Sequence, residues 1–123
     1  MEVVYTKDAP EAIGPYSQAI KVGNLVFTSG QIPINPATGA VEATTIEAQT
    51  EQVCKNISAV LTAAGSSLEK VVKTVCFLSN MEDFAAFNGV YSQYFTGKPA
   101  RSCVAVKTLP KNVLVEVDTV AEI

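Results

Sequence analysis

A guanidinium and a carboxylate stand inside two apolar runs in the last quarter of the chain. Arg101 lies in Pro99-Ala100-Arg101-Ser102-Cys103-Val104-Ala105-Val106, and Glu116 in Val113-Leu114-Val115-Glu116-Val117-Asp118. An ion inside a buried strand is costly unless it is paired, neutralised or used. Leu109-Pro110-Lys111-Asn112 separates the two runs and reads as a turn, so the sequence predicts a closing hairpin. With Ala105 opposite Leu114, Cys103 falls opposite Glu116, and Arg101 lies one diagonal step away on the same face. Diagonal neighbours in a sheet are about 7–8 Å apart, which long side chains bridge directly or around a small ligand. A slip of one residue would send the two to opposite faces. Two readings stand: a structural ion pair, or a guanidinium and a carboxylate that share a ligand.

Composition narrows the chemistry. The chain has 123 residues, of which 48% are apolar and 17% charged, enough to fill the core of one domain, 1–123. The apolar share is high for this size, and part of it is expected in a subunit interface. There is no His, so the usual neutral-pH acid–base group and the commonest metal ligand are both missing, and no metal is expected. A net charge of −3 argues against nucleic acid, because an acidic surface repels phosphate backbones. Cys54, Cys76 and Cys103 make an odd set without a CxxC pair. With no secretory or transit signal in Met1-Glu2-Val3-Val4-Tyr5, they point to a reducing, cytoplasmic setting. No apolar run is long enough for a membrane span.

The elements that must hold these residues follow from pattern. Val3-Val4-Tyr5 predicts a short strand, and residues 16–22 and 25–29 predict two more around Gly23-Asn24, a tight-turn dipeptide. Pro33-Ile34-Asn35-Pro36-Ala37-Thr38-Gly39 is rich in breakers and must leave the sheet. Thr44 and Glu47 fit a capping box. Ile46, Val53, Ile57, Val60, Leu61 and Ala64 then form one helical stripe, closed by Gly65. Residues 68–78 read as a central strand. A second helix, capped by Ser79 or Asn80, runs from Met81 to about Phe95 with Phe84, Phe87, Val90, Tyr91 and Phe95 as its stripe. The order β-β-β-α-β-α-β-β makes an α+β domain, a six-stranded mixed sheet with two helices on one face. Apolar residues point to both faces of the strands, so other copies of the chain are expected to cover the open one.

Three blocks, in order, resemble the RidA (YjgF) family. They are Ile13-Gly14-Pro15-Tyr16-Ser17-Gln18-Ala19, Phe27-Thr28-Ser29-Gly30-Gln31-Ile32-Pro33, and the Pro99–Val106 string with Leu109-Pro110 and Leu114-Val115-Glu116-Val117 behind it. The similarity runs from about Ala9 to the C-terminus. It implies the chorismate-mutase-like fold, a homotrimer, and hydrolytic deamination of 2-iminopropanoate and 2-iminobutanoate to 2-keto acids and ammonia. The imine is reactive by itself, so no cofactor is required. Two other classes compete. One is a trimer that binds keto acids without turnover, which would need no base at Glu116. The other is an endoribonuclease or translation inhibitor, against which the acidic charge and missing His both weigh.

Roles are carried over residue by residue. The resemblance makes Arg101 the substrate-carboxylate anchor, and a guanidinium suits it because it forms two parallel hydrogen bonds to a carboxylate. Glu116 becomes the acid–base group that takes a proton from the attacking water and returns one to nitrogen. Tyr16 reads on residue type as a packed strand-start tyrosine, and on the resemblance as a phenol capping the pocket. Ser29 and Gly30 end a strand, where glycine lets a ligand approach the backbone. Cys103 has no His to make it a thiolate, so its backbone is expected to line the pocket. Asn88, on the second helix, is expected near the pocket across the subunit interface. Phe87, Cys54 and Cys76 read as core.

Overall fold

Helix α1 (Ile46–Ala63) forms where its apolar residues share one stripe, and Val53, Ile57, Val60 and Leu61 are fully buried. Its cap is Thr45, whose hydroxyl accepts from the Ala48 amide at 3.1 Å, one residue later than the expected Thr44. Glu47 therefore sits in the first turn, where its charge favours the helix dipole, instead of closing a capping box. Gly65 ends the helix in the left-handed region (φ 83°), which lets the Ser66 amide reach the Leu61 carbonyl at 2.8 Å. The second helix, α2 (Phe84–Tyr94), is preceded by a 3₁₀ turn that Asn80 caps. Phe87, Tyr91 and Phe95 are its buried stripe.

The computed structural model describes residues 1–123. Six strands make the main sheet: β1 (Glu2–Val4), β2 (Ala19–Val22), β3 (Leu25–Thr28), β6 (Val71–Leu78), β7 (Ala100–Ala105) and β8 (Val115–Glu122). The breaker-rich loop holds a small hairpin of its own, β4 (Ile34–Asn35) and β5 (Ala40–Val41), which residue type did not reveal. The sheet order is β1-β2-β3-β8-β6-β7, mixed because only β6 and β7 run parallel. One core cluster includes Val53 and Ile57 of α1, Phe87 and Tyr91 of α2, Cys76 and Leu78 of β6, and Val115 and Val117 of β8. Both helices thus cover one face, as the pattern predicts. No helix is long and apolar enough to cross a membrane.

The closing hairpin does not form. Helix α2 is a crossover, so β7 emerges parallel to β6 and occupies one of its edges. The chain then passes through Pro110–Asn112, with Lys111 and Asn112 at φ 55° and 54°, and returns as β8 on the other edge of β6. Ala105 therefore pairs with Leu78 and Glu116 with Phe77, not with Leu114 and Cys103. Strand β7 is also an exposed edge, not a buried strand.

This topology decides which face each charge takes. Arg101 pairs with Thr74 and Glu116 with Phe77, three residues apart on β6. Side chains alternate along a strand, so an odd spacing puts the two on opposite faces. Arg101 and Cys103 lie on the helix side. Glu116 and Asp118 lie on the open side, with Val75 and Phe77 of β6 and Ser102 and Val104 of β7. Apolar side chains remain exposed on that open side, among them Val3 (59%), Phe27 (43%) and Val104 (48%).

Candidate functional site

Two cavities hold the expected residues other than Cys103. The first, of about 400 Å³, is lined by Tyr16, Ser29, Gly30 and Glu116 among others. The second, of about 370 Å³, is lined by Asn88 and Arg101. Cys103 lines neither, although it shares the Arg101 face of β7.

The Glu116 cavity is floored by sheet and walled by loops. Ser29 and Gly30 leave β3, and Gln31 is stitched to β8 by paired backbone hydrogen bonds with Val117 at 2.8 and 3.1 Å. This brings Gly30 so close that a Cβ there would stand 2.2 Å from Glu116 Oε2. Only glycine leaves room for the carboxylate in this position. Ser29 donates its hydroxyl to the Ser17 carbonyl at 2.5 Å, so its proton is committed to holding the loop. Tyr16 sits in that loop, ahead of β2 and half exposed, with its phenol oxygen accepting from the Ile13 amide at 3.4 Å. The strand expected to begin at Tyr16 begins at Ala19.

Gln18 is a supporting residue of the cavity wall that residue type alone did not single out. Buried to 3% exposure, it accepts from the Thr6 amide at 2.7 Å and donates to the Thr6 and Pro10 carbonyls at 3.0 and 2.8 Å. It ties the 6–10 loop to the sheet. Asn56 of α1 does the same for the opposite wall, donating to the Ile32 and Ile34 carbonyls at 3.1 and 2.9 Å. No local sequence signal marks either amide; both are buried, and such groups are retained inside a fold only when hydrogen-bonded.

The Arg101 cavity is made by α2. The guanidinium donates to Asn88 Oδ1 at 2.7 Å and lies 4.9 Å from the Tyr91 ring centroid and 5.4 Å from that of Phe84. Tyr91 is itself fixed by a 2.8 Å hydrogen bond with Thr74. Aromatic faces attract the cation and hold its plane without neutralising it. The chain's ion pairs are Lys21–Glu2 and Lys55–Glu51, so neither Arg101 nor Glu116 is in one. The purely structural Arg101–Glu116 bridge does not exist within a chain.

Electrostatics sharpens the contrast. Partial burial raises the Glu116 carboxyl above its ordinary value of 4.5, and the nearby Asp118 charge raises it further. Burial likewise raises Asp118. The thiols of Cys54 and Cys76 are pushed up to about 12 by burial, as inert core thiols should be. Cys103 is raised by burial and drawn partly back by Arg101. A half-buried carboxylate with an elevated pKa suits proton transfer, and an unneutralised guanidinium with free donors suits a planar anion.

Comparison with known proteins agrees with this architecture. The family model described as endoribonuclease L-PSP matches residues 6–123. A RutC family protein of Pyrococcus horikoshii is 53% identical, over 98% of this chain and 96% of its own length. A Yersinia pestis protein of unknown function, of the conserved Rid protein family, superposes with a TM-score of 0.96 at 50% identity, covering 99% of this chain and 98% of that one. E. coli TdcF, solved with bound serine, superposes with a TM-score of 0.95 at 40% identity, covering 100% of this chain and 99% of that one.

Proposed function

We propose that this chain, which belongs to the endoribonuclease L-PSP (RidA) family, hydrolyses 2-imino acids such as 2-iminopropanoate and 2-iminobutanoate in clefts formed between copies of a homotrimer. The observation that carries the reading is the pair of unmatched charges. Glu116 faces a cavity without a cation, and Arg101 faces another without an anion, on opposite faces of one sheet. One small imino acid cannot touch both within a chain. The exposed apolar side of the sheet supplies a reason for copies to associate and bring Arg101 of one to Glu116 of the next. The serine bound to TdcF is consistent with this, being a small acid with nitrogen on the carbon next to its carboxylate.

In this reading Arg101 grips the substrate carboxylate with two parallel hydrogen bonds while Asn88 holds its fork. Glu116 takes a proton from a water as its oxygen attacks the imine carbon, giving a carbinolamine. The same carboxyl returns that proton to nitrogen, then takes the carbinolamine's hydroxyl proton and relays it to nitrogen as the C–N bond breaks and the C=O bond forms, so that the 2-keto acid and ammonia leave. Tyr16 caps the cavity, and Gly30 and Ser29 shape its floor. Positioned proton transfer of this kind contributes roughly 10²–10⁴-fold.

A mixing experiment tests the arrangement. Arg101→Ala and Glu116→Gln proteins should each be inactive alone, with threonine dehydratase supplying the imine and its decay followed. Dissociated and reassembled together, they should regain activity, because some clefts then contain both native residues. No recovery in verified mixed trimers would place Arg101 and Glu116 in separate roles. The family description also names ribonuclease activity, but a net charge of −3 and the absence of His favour the deaminase.

A further inference from the structure

The Glu116 cavity is larger than a three- or four-carbon acid needs. Its volume of about 400 Å³ falls within the roughly 300–1,000 Å³ of sites that hold drug-sized ligands. Pro10, Ile13, Ile32, Ile34 and Pro110 give it apolar walls, its neutral polar groups include Gln18 and Gln31, and no Lys or Arg lines it. Besides Glu116 it contains a second carboxylate, Glu11, on the loop that Gln18 ties down. Glu11 is held in place rather than paired: Tyr5 donates its phenol proton to Glu11 Oε1 at 2.5 Å. Lys111 lines the smaller adjoining cavity that Glu11 also borders, yet the two form no ion pair.

We propose that Glu11 makes this cavity selective for 2-imino acids whose side chain is an aliphatic stem ending in a cation, as in the imine of arginine. The inference rests on the deaminase reading and names the side chain it favours. Apolar walls bury the methylenes of such a stem, and a carboxylate at their end meets its cationic head, the usual arrangement for amphipathic chains. A neutral stem of equal length gains the burial alone. An anionic side chain meets two carboxylates and is disfavoured, so the site selects by repulsion as well as by attraction.

The test uses the full chain and imines made in place by a flavin amino acid oxidase with catalase, from arginine, norleucine and glutamate. Competition with semicarbazide trapping reads each hydrolysis rate. The unmodified protein should prefer the arginine imine over the norleucine imine, and added salt should erode that preference. Glu11→Gln should cut the ratio about threefold to fivefold, the range of a solvent-facing charge pair. Glu11→Lys should shift preference toward the glutamate imine, and Tyr5→Phe should weaken the ratio less than Glu11→Gln does. Circular dichroism checks that the variants fold. An arginine-to-norleucine ratio identical in all four proteins overturns the inference while leaving the deaminase reading intact if 2-iminopropanoate is hydrolysed. Failure of the unmodified protein on every imine, 2-iminopropanoate included, overturns both.

Discussion

The Glu116 and Arg101 cavities are built in opposite ways from the same sheet. Around Glu116 the walls are loops, pinned by buried amides such as Gln18 and Asn56, and the floor is a glycine with no room for a methyl group. Around Arg101 the wall is one helix, whose Phe84 and Tyr91 rings and Asn88 amide hold the guanidinium. The first arrangement desolvates an acid and raises its pKa, and the second presents a cation without cancelling its charge. A proton-transfer group needs a tuned environment, whereas an anchor needs a fixed direction. On the proposed reading the two cavities meet those needs separately, and β6, between β7 and β8, keeps them apart.

The largest effect should come from Glu116. Glu116→Gln keeps the shape of the side chain and removes the base, so imine decay should fall about 10²–10⁴-fold. With no ion pair lost within the chain, the melting temperature at neutral pH should not drop, and a large drop would mean that Glu116 is structural. Arg101→Ala should abolish activity, and Arg101→Lys should retain little, because an ammonium cannot reproduce the planar fork. Its stability loss should be modest, about 0.5–2 kcal/mol from the lost stacking on aromatic rings. An active Arg101→Lys protein would reduce the second cavity to a source of positive charge.

Gly30→Ala tests how finely the first cavity is set. The added methyl must displace the Glu116 carboxyl, so the rate should fall about tenfold or more while the fold survives. Wild-type rates in a Gly30→Ala protein whose crystal structure shows the carboxyl displaced would mean that the site tolerates movement. Asp118→Asn should have the smallest effect, on pH dependence. Glu116 acts as a base only when ionised, and its raised pKa puts the acid limb of the rate above the ordinary carboxylate range. Removing the Asp118 charge should move that limb to lower pH. The stability sign is also fixed. Both carboxyls are raised in the folded state, so their contribution is complete below the ordinary carboxylate pKa and is lost as pH rises through the raised values. Asp118→Asn should flatten that decline and stabilise the protein at neutral pH, as a melting series from pH 4 to 8 would show.

Much of this was legible in residue order. Ile46 through Ala64 announced their buried stripe because a helix repeats every few residues and a stripe is a local property. Gly23-Asn24 joins β2 to β3 as a tight turn should, with Gly23 at φ 59°. Gly30 beside Ser29 was recognisable as a place of close approach, and the structure shows that what approaches is Glu116. Gln18 and Asn56 were not legible as wall supports, since a polar residue's partners are set by loops distant in sequence. The exchange of Thr44 for Thr45 as the helix cap is a shift of one residue between neighbours equally able to cap.

The sequence by itself determined the two helices, the six strands of the main sheet, the apolar surplus and the presence of one guanidinium and one carboxylate in apolar runs. It did not determine that they belong to different cavities. Two strands separated by a short turn pair as neighbours by default, and that default placed Arg101 and Glu116 on one face. The tertiary structure decided otherwise because the α2 crossover fills one edge of β6 with β7, leaving the opposite edge for β8. Strand order is a competition among all edges of the sheet, settled by which faces the helices must cover, and no local pattern carries that information.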